Sequence, residues 1–223
     1  MQAYVSGMKW LLLLAAPLCA CAVTQSAHAD DLRDFCADRP GIGTPSCIID
    51  KGHVMTELGL VDWAHDNTAG VVSDSVSGGQ LLVRAGVSAN VEVQLGWDGY
   101  QSQRVRDATG LVDKVRGGGD ALVGLKIGLK HPDGSGTSIA LLPYAKLPIG
   151  KAGIGAGDWS AGLIVPIDFS LPHDFSIALS PQISAEVNGS GDGHHLAWGG
   201  VVGLGKKLSK NLSGSVEVGW KHD

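Results

Sequence analysis

From about His53 onward, apolar and polar residues alternate along the chain. Val91, Val93, Leu95 and Trp97 take one parity, and Glu92, Gln94, Gly96 and Asp98 take the other. Further on, Ala121, Val123, Leu125, Ile127 and Leu129 oppose Gly124, Lys126, Gly128 and Lys130. Trp159 to Phe169, Phe175 to Val187 and Leu212 to Trp220 repeat the arrangement, and looser versions lie near 53–65, 79–87, 137–148 and 195–208. Successive residues of a strand face opposite sides, so each stretch predicts a strand with one apolar and one polar face. About nine such strands are present, roughly 9–14 residues long, whereas strands of globular proteins have a mode near 5–6 and a tilted membrane-spanning strand needs about 9–11.

The connections sharpen the expectation. Residues 66–78, 101–119 and 149–157 read as long and 188–194 as intermediate, while 88–90, 131–136, 171–174 and 209–211 read as tight turns. Long and short alternate, as in an antiparallel up-and-down transmembrane β-barrel with tight periplasmic turns and longer outer loops. Trp97, Trp159, Phe169, Phe175 and Trp220 fall near strand ends on the apolar parity, where interfacial girdles sit. Pro143, Pro166 and Pro181 interrupt strands and call for local bulges, because each removes a ladder donor.

The first residues narrow the compartment. Lys9, an apolar run from Trp10 to Ala16 and Ala27-His28-Ala29 form a secretory signal over residues 1–29. The apolar run is too short to cross a bilayer as a helix. A lipoprotein site at Cys21 is a rival, with Cys19 an unusual occupant of its motif. Cleavage after Ala29 leaves Cys36 and Cys47, an even pair that predicts a disulfide in an oxidising compartment. A metal site built from both thiolates and His53 is the alternative, and it lacks a CxxC unit. Residues 30–52 are polar and aperiodic, either a periplasmic lead-in to the barrel at 53–223 or a plug in its mouth.

Composition excludes some partners. Net charge is −5, Gly number 33 and charged residues make up 17%. No basic run points to nucleic acid. The polar parity carries Glu57, Arg84, Glu92, Asp98, Lys126, Lys130, Lys146, Asp168, Glu186 and Glu217. In a barrel these residues line the lumen, where they either pair to fill a narrow interior or select among passing solutes. The many inward Gly and Ser leave room for a cavity. The expected partners are membrane lipid and a small-molecule solute.

Chemistry is thinly represented, and no enzyme activity or cofactor is expected. His194, His195 and Asp192 are near one another in sequence, but no spacing ties a serine to either histidine. The segment from Asn188 to Gly193 lacks the acidic terminal ligand of a calcium loop. The glycine clusters at 117–119 and 153–157 lack the lysine and the strand-to-helix setting of a phosphate loop.

Asp38-Arg39-Pro40-Gly41, Thr44-Pro45, Gly52-His53, the segment Pro143-Tyr144 to Leu147-Pro148 with Gly150, and Gly157-Asp158-Trp159 together resemble the "MetA-pathway of phenol degradation" family. The resemblance covers nearly all of the chain after residue 30. It implies an outer-membrane transporter of a Gram-negative bacterium that admits aromatic or other hydrophobic compounds, and it carries no residue-level site. Members of that family look longer, with further strands. Here the pattern stops after a ninth strand, and single-chain bacterial barrels normally have an even number. Truncation, an open barrel and completion by another chain all remain open readings. The expected function is a passive outer-membrane channel for small solutes; the alternative is a structural barrel or a periplasmic ligand-binding β-domain.

Overall fold

The computed structural model describes residues 32–34, 36–68, 70–209 and 212–222. The signal segment over 1–29, with Cys19 and Cys21, lies outside the described residues.

Thirteen strand segments form one antiparallel sheet. They are β1 (Val54–Thr68), β2 (Val71–Ser88), β3 (Val91–Trp97), β4 (Tyr100–Arg106), β5 (Val112–Gly118), β6 (Ala121–Lys130), β7 (Thr137–Leu147), β8 (Ser160–Ile164), β9 (Ile167–Ser170), β10 (Phe175–Leu179), β11 (Gln182–Val187), β12 (His194–Ser209) and β13 (Leu212–His222). Four pairs share a register: β3 with β4 along β2, β5 with β6 along β4 and β3, β8 with β9 along β7, and β10 with β11 along β12. The segments therefore make nine continuous strands, each beside its sequence neighbour. Two of the interruptions fall at Pro166 and Pro181, which have no N–H to donate. Their carbonyls keep the ladder intact, accepting from Ala140 N at 3.0 Å and Val165 N at 2.9 Å. Pro143 sits inside β7 opposite Leu163.

Two expected long loops are strands instead. Residues 66–68 and 71–78 belong to β1 and β2, which pair from Val54↔Ala85 to Thr68↔Val71. Most of 101–119 forms β4 and β5, joined at 107–111 by a turn in which Asp107 Oδ1 accepts from the backbone N–H of Thr109 and Leu111, both at 2.9 Å. The Thr109 hydroxyl bonds the same oxygen, and these hydrogen bonds hold the Asp107 carboxyl below its usual range. These stretches carry polar residues on both faces, so apolar alternation does not mark them. The alternation of long and short connections survives as an alternation of reach. The pairs β1–β2 and β4–β5 project at one end, where loops 148–159 and 188–193 also lie, while the opposite end has the tight turns at 89–90, 131–136 and 171–174.

Burial runs opposite to that of a water-soluble domain. Arg84, Glu92 and Lys126 are completely buried, whereas Leu95 is 53% exposed, Trp198 52% and Val216 73%. The apolar faces read from the sequence point outward and the polar faces inward. The hydrophobic effect favours apolar surface away from water, and the described residues leave this outward surface uncovered.

Residues 32–52 show that the sheet is curled. This short segment bonds to Glu57 in β1, Arg84 in β2, Glu92 in β3, Asp168 in β9 and Glu217 in β13. One stretch reaches the inward face of the first and last strands only when the sheet wraps around it. Among the described residues β1 pairs only with β2 and β13 only with β12, and a carboxylate of each of these edge strands, Glu57 and Glu217, bonds the lead-in. Gly86 permits its close approach: a Cβ there would collide with the carbonyl oxygens of Ile49 and Asp50.

Candidate functional site

The interior has a closed floor and an open chamber. The floor is organised by Arg84, whose inward parity on β2 places its guanidinium against the lead-in. Its Nε and Nη2 donate to the two carboxylate oxygens of Glu92 at 2.8 and 3.0 Å. Nη1 donates to Asp38 Oδ1 at 2.8 Å and to the Cys36 carbonyl at 2.6 Å, and Nη2 reaches the Cys47 carbonyl at 3.1 Å. The planar fork of an arginine suits this bidentate grip. Lys126 adds a second cation, with Nζ 3.6 Å from both Asp38 and Glu92 and no hydrogen bond of its own. Cys36 and Cys47, with Cα atoms 6.3 Å apart, lie within disulfide range.

Three more carboxylates hold the lead-in by its backbone. Glu57 accepts from the N–H of Asp38 and Arg39 at 3.2 and 2.9 Å. Asp168 accepts from Ser46 N and Oγ at 2.7 and 2.6 Å. Glu217 accepts from Ile42 N and Gly43 N at 2.6 and 2.9 Å. A loop with few hydrogen-bond partners of its own is thereby satisfied by the wall around it.

Above this floor lies a chamber of about 420 Å³. Asp38, Arg39 and Thr44 face it from below, and Leu82, Leu122, Leu142 and Ile164 supply apolar wall. Gln94, Tyr144 and Gln182 add hydrogen-bonding groups, and two ion pairs cross it, Lys146–Asp98 at 3.3 Å and Lys221–Glu186 at 3.6 Å. The size and the mixture of apolar wall with a few polar groups fit a small amphipathic molecule. Beside the chamber, Asp120 accepts from Gly150 N and Ala156 N at 2.9 and 2.8 Å and draws loop 148–159 back against the wall. A Cβ on Gly155 would run into that carboxylate, which accounts for the glycine.

The ten expected lumen residues therefore divide. Glu57, Arg84, Glu92, Lys126, Asp168 and Glu217 hold the lead-in, while Asp98, Lys146 and Glu186 border the chamber. Lys130 does not face inward. A register shift after Gly128 pairs it with Ile139, whose row continues to Ile167 on the apolar face, and Lys130 is exposed. A β-bulge changes the parity that an unbroken strand would keep. Sequence reasoning misses Asp38 and Asp120, while Gln94 falls on the polar parity of its strand without standing among the charged lumen candidates. Asp38 and Asp120 lie outside the alternating stretches, and nothing in their local sequence marks their distant partners.

The other candidates are not among the residues that line the chamber. His194 Nε2 lies 2.7 Å from the Trp159 carbonyl and His195 Nδ1 3.0 Å from Asn188 Oδ1, at the end with the longer loops. His53 Nδ1 lies 3.3 Å from the Lys51 carbonyl. Among the described residues no group of three or more His, Cys, Asp or Glu is placed to hold a metal ion.

A curled antiparallel up-and-down sheet with an apolar exterior and a charged, partly filled interior defines a barrel-like all-β protein. Over residues 37–222 the chain matches the family described as "Putative MetA-pathway of phenol degradation", and it belongs to that family. Comparisons with curated proteins and with solved structures return no match.

Proposed function

We propose that this protein is an outer-membrane channel or transporter for small solutes, aromatic and hydrophobic ones among them, and that it performs no chemistry on them. The chamber carries the reading: it lies on the inward face of the wall and combines Leu82, Leu122, Leu142 and Ile164 with Gln94, Gln182 and Tyr144. An aromatic ring would rest on the aliphatic wall while its polar substituent meets an amide or the phenol of Tyr144. The outward apolar surface supports placement in the bilayer, and the family description supports a link to phenol breakdown. In this orientation the turns at 89–90, 131–136 and 171–174 are periplasmic, and the lead-in forms a floor on that side. Passage then requires solute to move around the lead-in or the lead-in to shift.

Purified protein in liposomes tests this directly. Phenol and a sugar of similar volume should both enter faster than into empty liposomes, with phenol favoured. Leu122→Trp, which fills the chamber from its wall, should reduce phenol entry several-fold. Entry no faster than into empty liposomes would leave the second reading, a structural barrel, which the closed floor around Arg84 favours.

A further inference from the structure

The projecting pair β4–β5 carries a cluster of cations that the sequence disperses. Arg104 pairs with Lys114 across the two strands, Arg116 with Ser102, and Arg106 with Val112. All four cations therefore occupy the same parity. That parity faces outward. A Cβ on Gly118, which pairs with Tyr100, would point at the Trp97 ring 3.5 Å away, and Trp97 lies on the exposed apolar face. The opposite parity turns inward: a Cβ on Gly153 in loop 148–159 would meet Val115 Cγ2 at 3.3 Å, and one on Gly117 would strike Lys151.

All four cations are exposed. None takes part in a salt bridge or side-chain hydrogen bond among the described residues. The acids nearby are occupied or turned away. Asp74, opposite Arg104, bonds His65 Nδ1 at 2.7 Å. Asp107 is engaged by the turn, and Asp113 lies on the other parity. Among the described residues Asp74 is the one carboxylate facing the four cations; like charges placed across neighbouring strands repel, so a further anion would stabilise the cluster.

The same face supplies the second observation. Below Arg104 it carries Tyr100, 55% exposed, and in the cross-strand row of Ser102 and Arg116 it carries Trp63, 67% exposed, so that the aromatic exterior adjoins the cations. Arg104 stands four residues beyond Tyr100, roughly 13 Å along the strand and about 10 Å in height at barrel tilt. That step leads from the aromatic interface to the headgroup level of a bilayer.

We infer that the outward face of β4–β5 is a binding site for the phosphate groups of surrounding lipids, with Arg104, Arg106, Lys114 and Arg116 as its ligands. This rests on the membrane placement proposed above. The site anchors the projecting hairpin laterally and sets the depth at which the wall sits. Arginine suits it, because its fork meets two phosphate oxygens at once.

The test compares the wild-type chain with R104A/R106A/K114A/R116A, and with R104K/R106K/R116K as the charge-preserving control. The probes are phosphatidylcholine vesicles, the same vesicles carrying bis-phosphorylated lipid A, and soluble glycerol phosphate. Heat-modifiable gel mobility reports folding in each case. Wild-type protein should float with both kinds of vesicle and retain lipid A through detergent washing. The alanine variant should fold and float but retain at least about tenfold less lipid A, and the lysine variant should keep most of the retention. Glycerol phosphate should compete weakly, because it lacks the bilayer that holds the cations in place. Equal retention by wild type and the alanine variant overturns the site, and full competition by glycerol phosphate reassigns it to free phosphate and overturns the lipid assignment. If the wild type floats with neither vesicle, the membrane reading falls and the lipid site falls with it.

Discussion

At the scale of single residues, Arg84 decides how the interior is filled. It is fully buried and bonds three carboxylates, Glu92, Asp38 and, at 3.5 Å, Glu57, together with two cysteine carbonyls. Such a cluster contributes little net stability compared with a packed apolar core, but removing one partner leaves buried charge uncompensated. Arg84→Ala is therefore expected to destabilise the folded barrel by about 3–5 kcal/mol, with Glu92 and Asp38 stranded; urea titration of the heat-modifiable band measures it. The double variant Arg84→Met/Glu92→Leu should lose clearly less, and an equal or larger loss would mean that the pair itself is strongly stabilising. On the outer face, Val93→Arg should cost about 2–4 kcal/mol if that residue meets the middle of the bilayer. A change below about 0.5 kcal/mol, usual for a water-exposed surface site, would place Val93 in water. The inward parity of Arg84 was legible in the alternation along β2. Its partners were not, because the carbonyls of Cys36 and Cys47 arrive from a segment without periodicity. Lys130 shows the reverse failure: its parity was clear in the sequence, and a bulge that no residue type announces turned it outward.

At the scale of elements, the lead-in is the part least held by strand pairing. It owes its place to side chains of the wall more than to pairing of its own, with one isolated bridge, Lys51↔Gly86, and a few backbone bonds near Ile48 and Gly52. With the Cys36–Cys47 bond formed, the closed loop limits how far residues 37–46 can stray. Cys36→Ser/Cys47→Ser, or reduction of the wild type, should raise conductance in planar bilayers and remove roughly 3 kcal/mol of stability by the chain-entropy account. Unchanged conductance together with lost stability would make the bond structural and the floor permanent. The strand stretches themselves were legible because an apolar outer face and a polar inner face impose a period of two. The extensions of β1–β2 and β4–β5 were not, since polar residues on both faces hide that period and leave sequences that resemble loops.

At the scale of the whole molecule, the proposed membrane placement puts the projecting end outside. With the projecting pairs outside the cell, a cysteine at Thr109 should react with an impermeant maleimide on intact cells, and one at Gly134 only after the outer membrane is opened. The reverse pattern would invert the barrel, and labelling of both on intact cells would remove it from the membrane. The two positions suit the test because each lies in a turn: Thr109 joins β4 to β5, and Gly134 has φ +80 in the turn between β6 and β7. A polar cysteine can be tolerated at Thr109 with little cost, whereas Gly134 will lose some stability.

The sequence by itself determined the all-β class and the alternation that gives the strands one apolar and one polar face. Each of these follows from local periodicity, because a strand displays its environment in alternate residues. Only the tertiary structure decided what the inward charges do. The same parity reads alike for a charge that lines a channel and for one that grips a plug, and the difference depends on residues 32–52 folding back against the wall. It also decided that Arg104, Arg106, Lys114 and Arg116 form one cluster, since cross-strand register, and not distance along the chain, sets which charges meet.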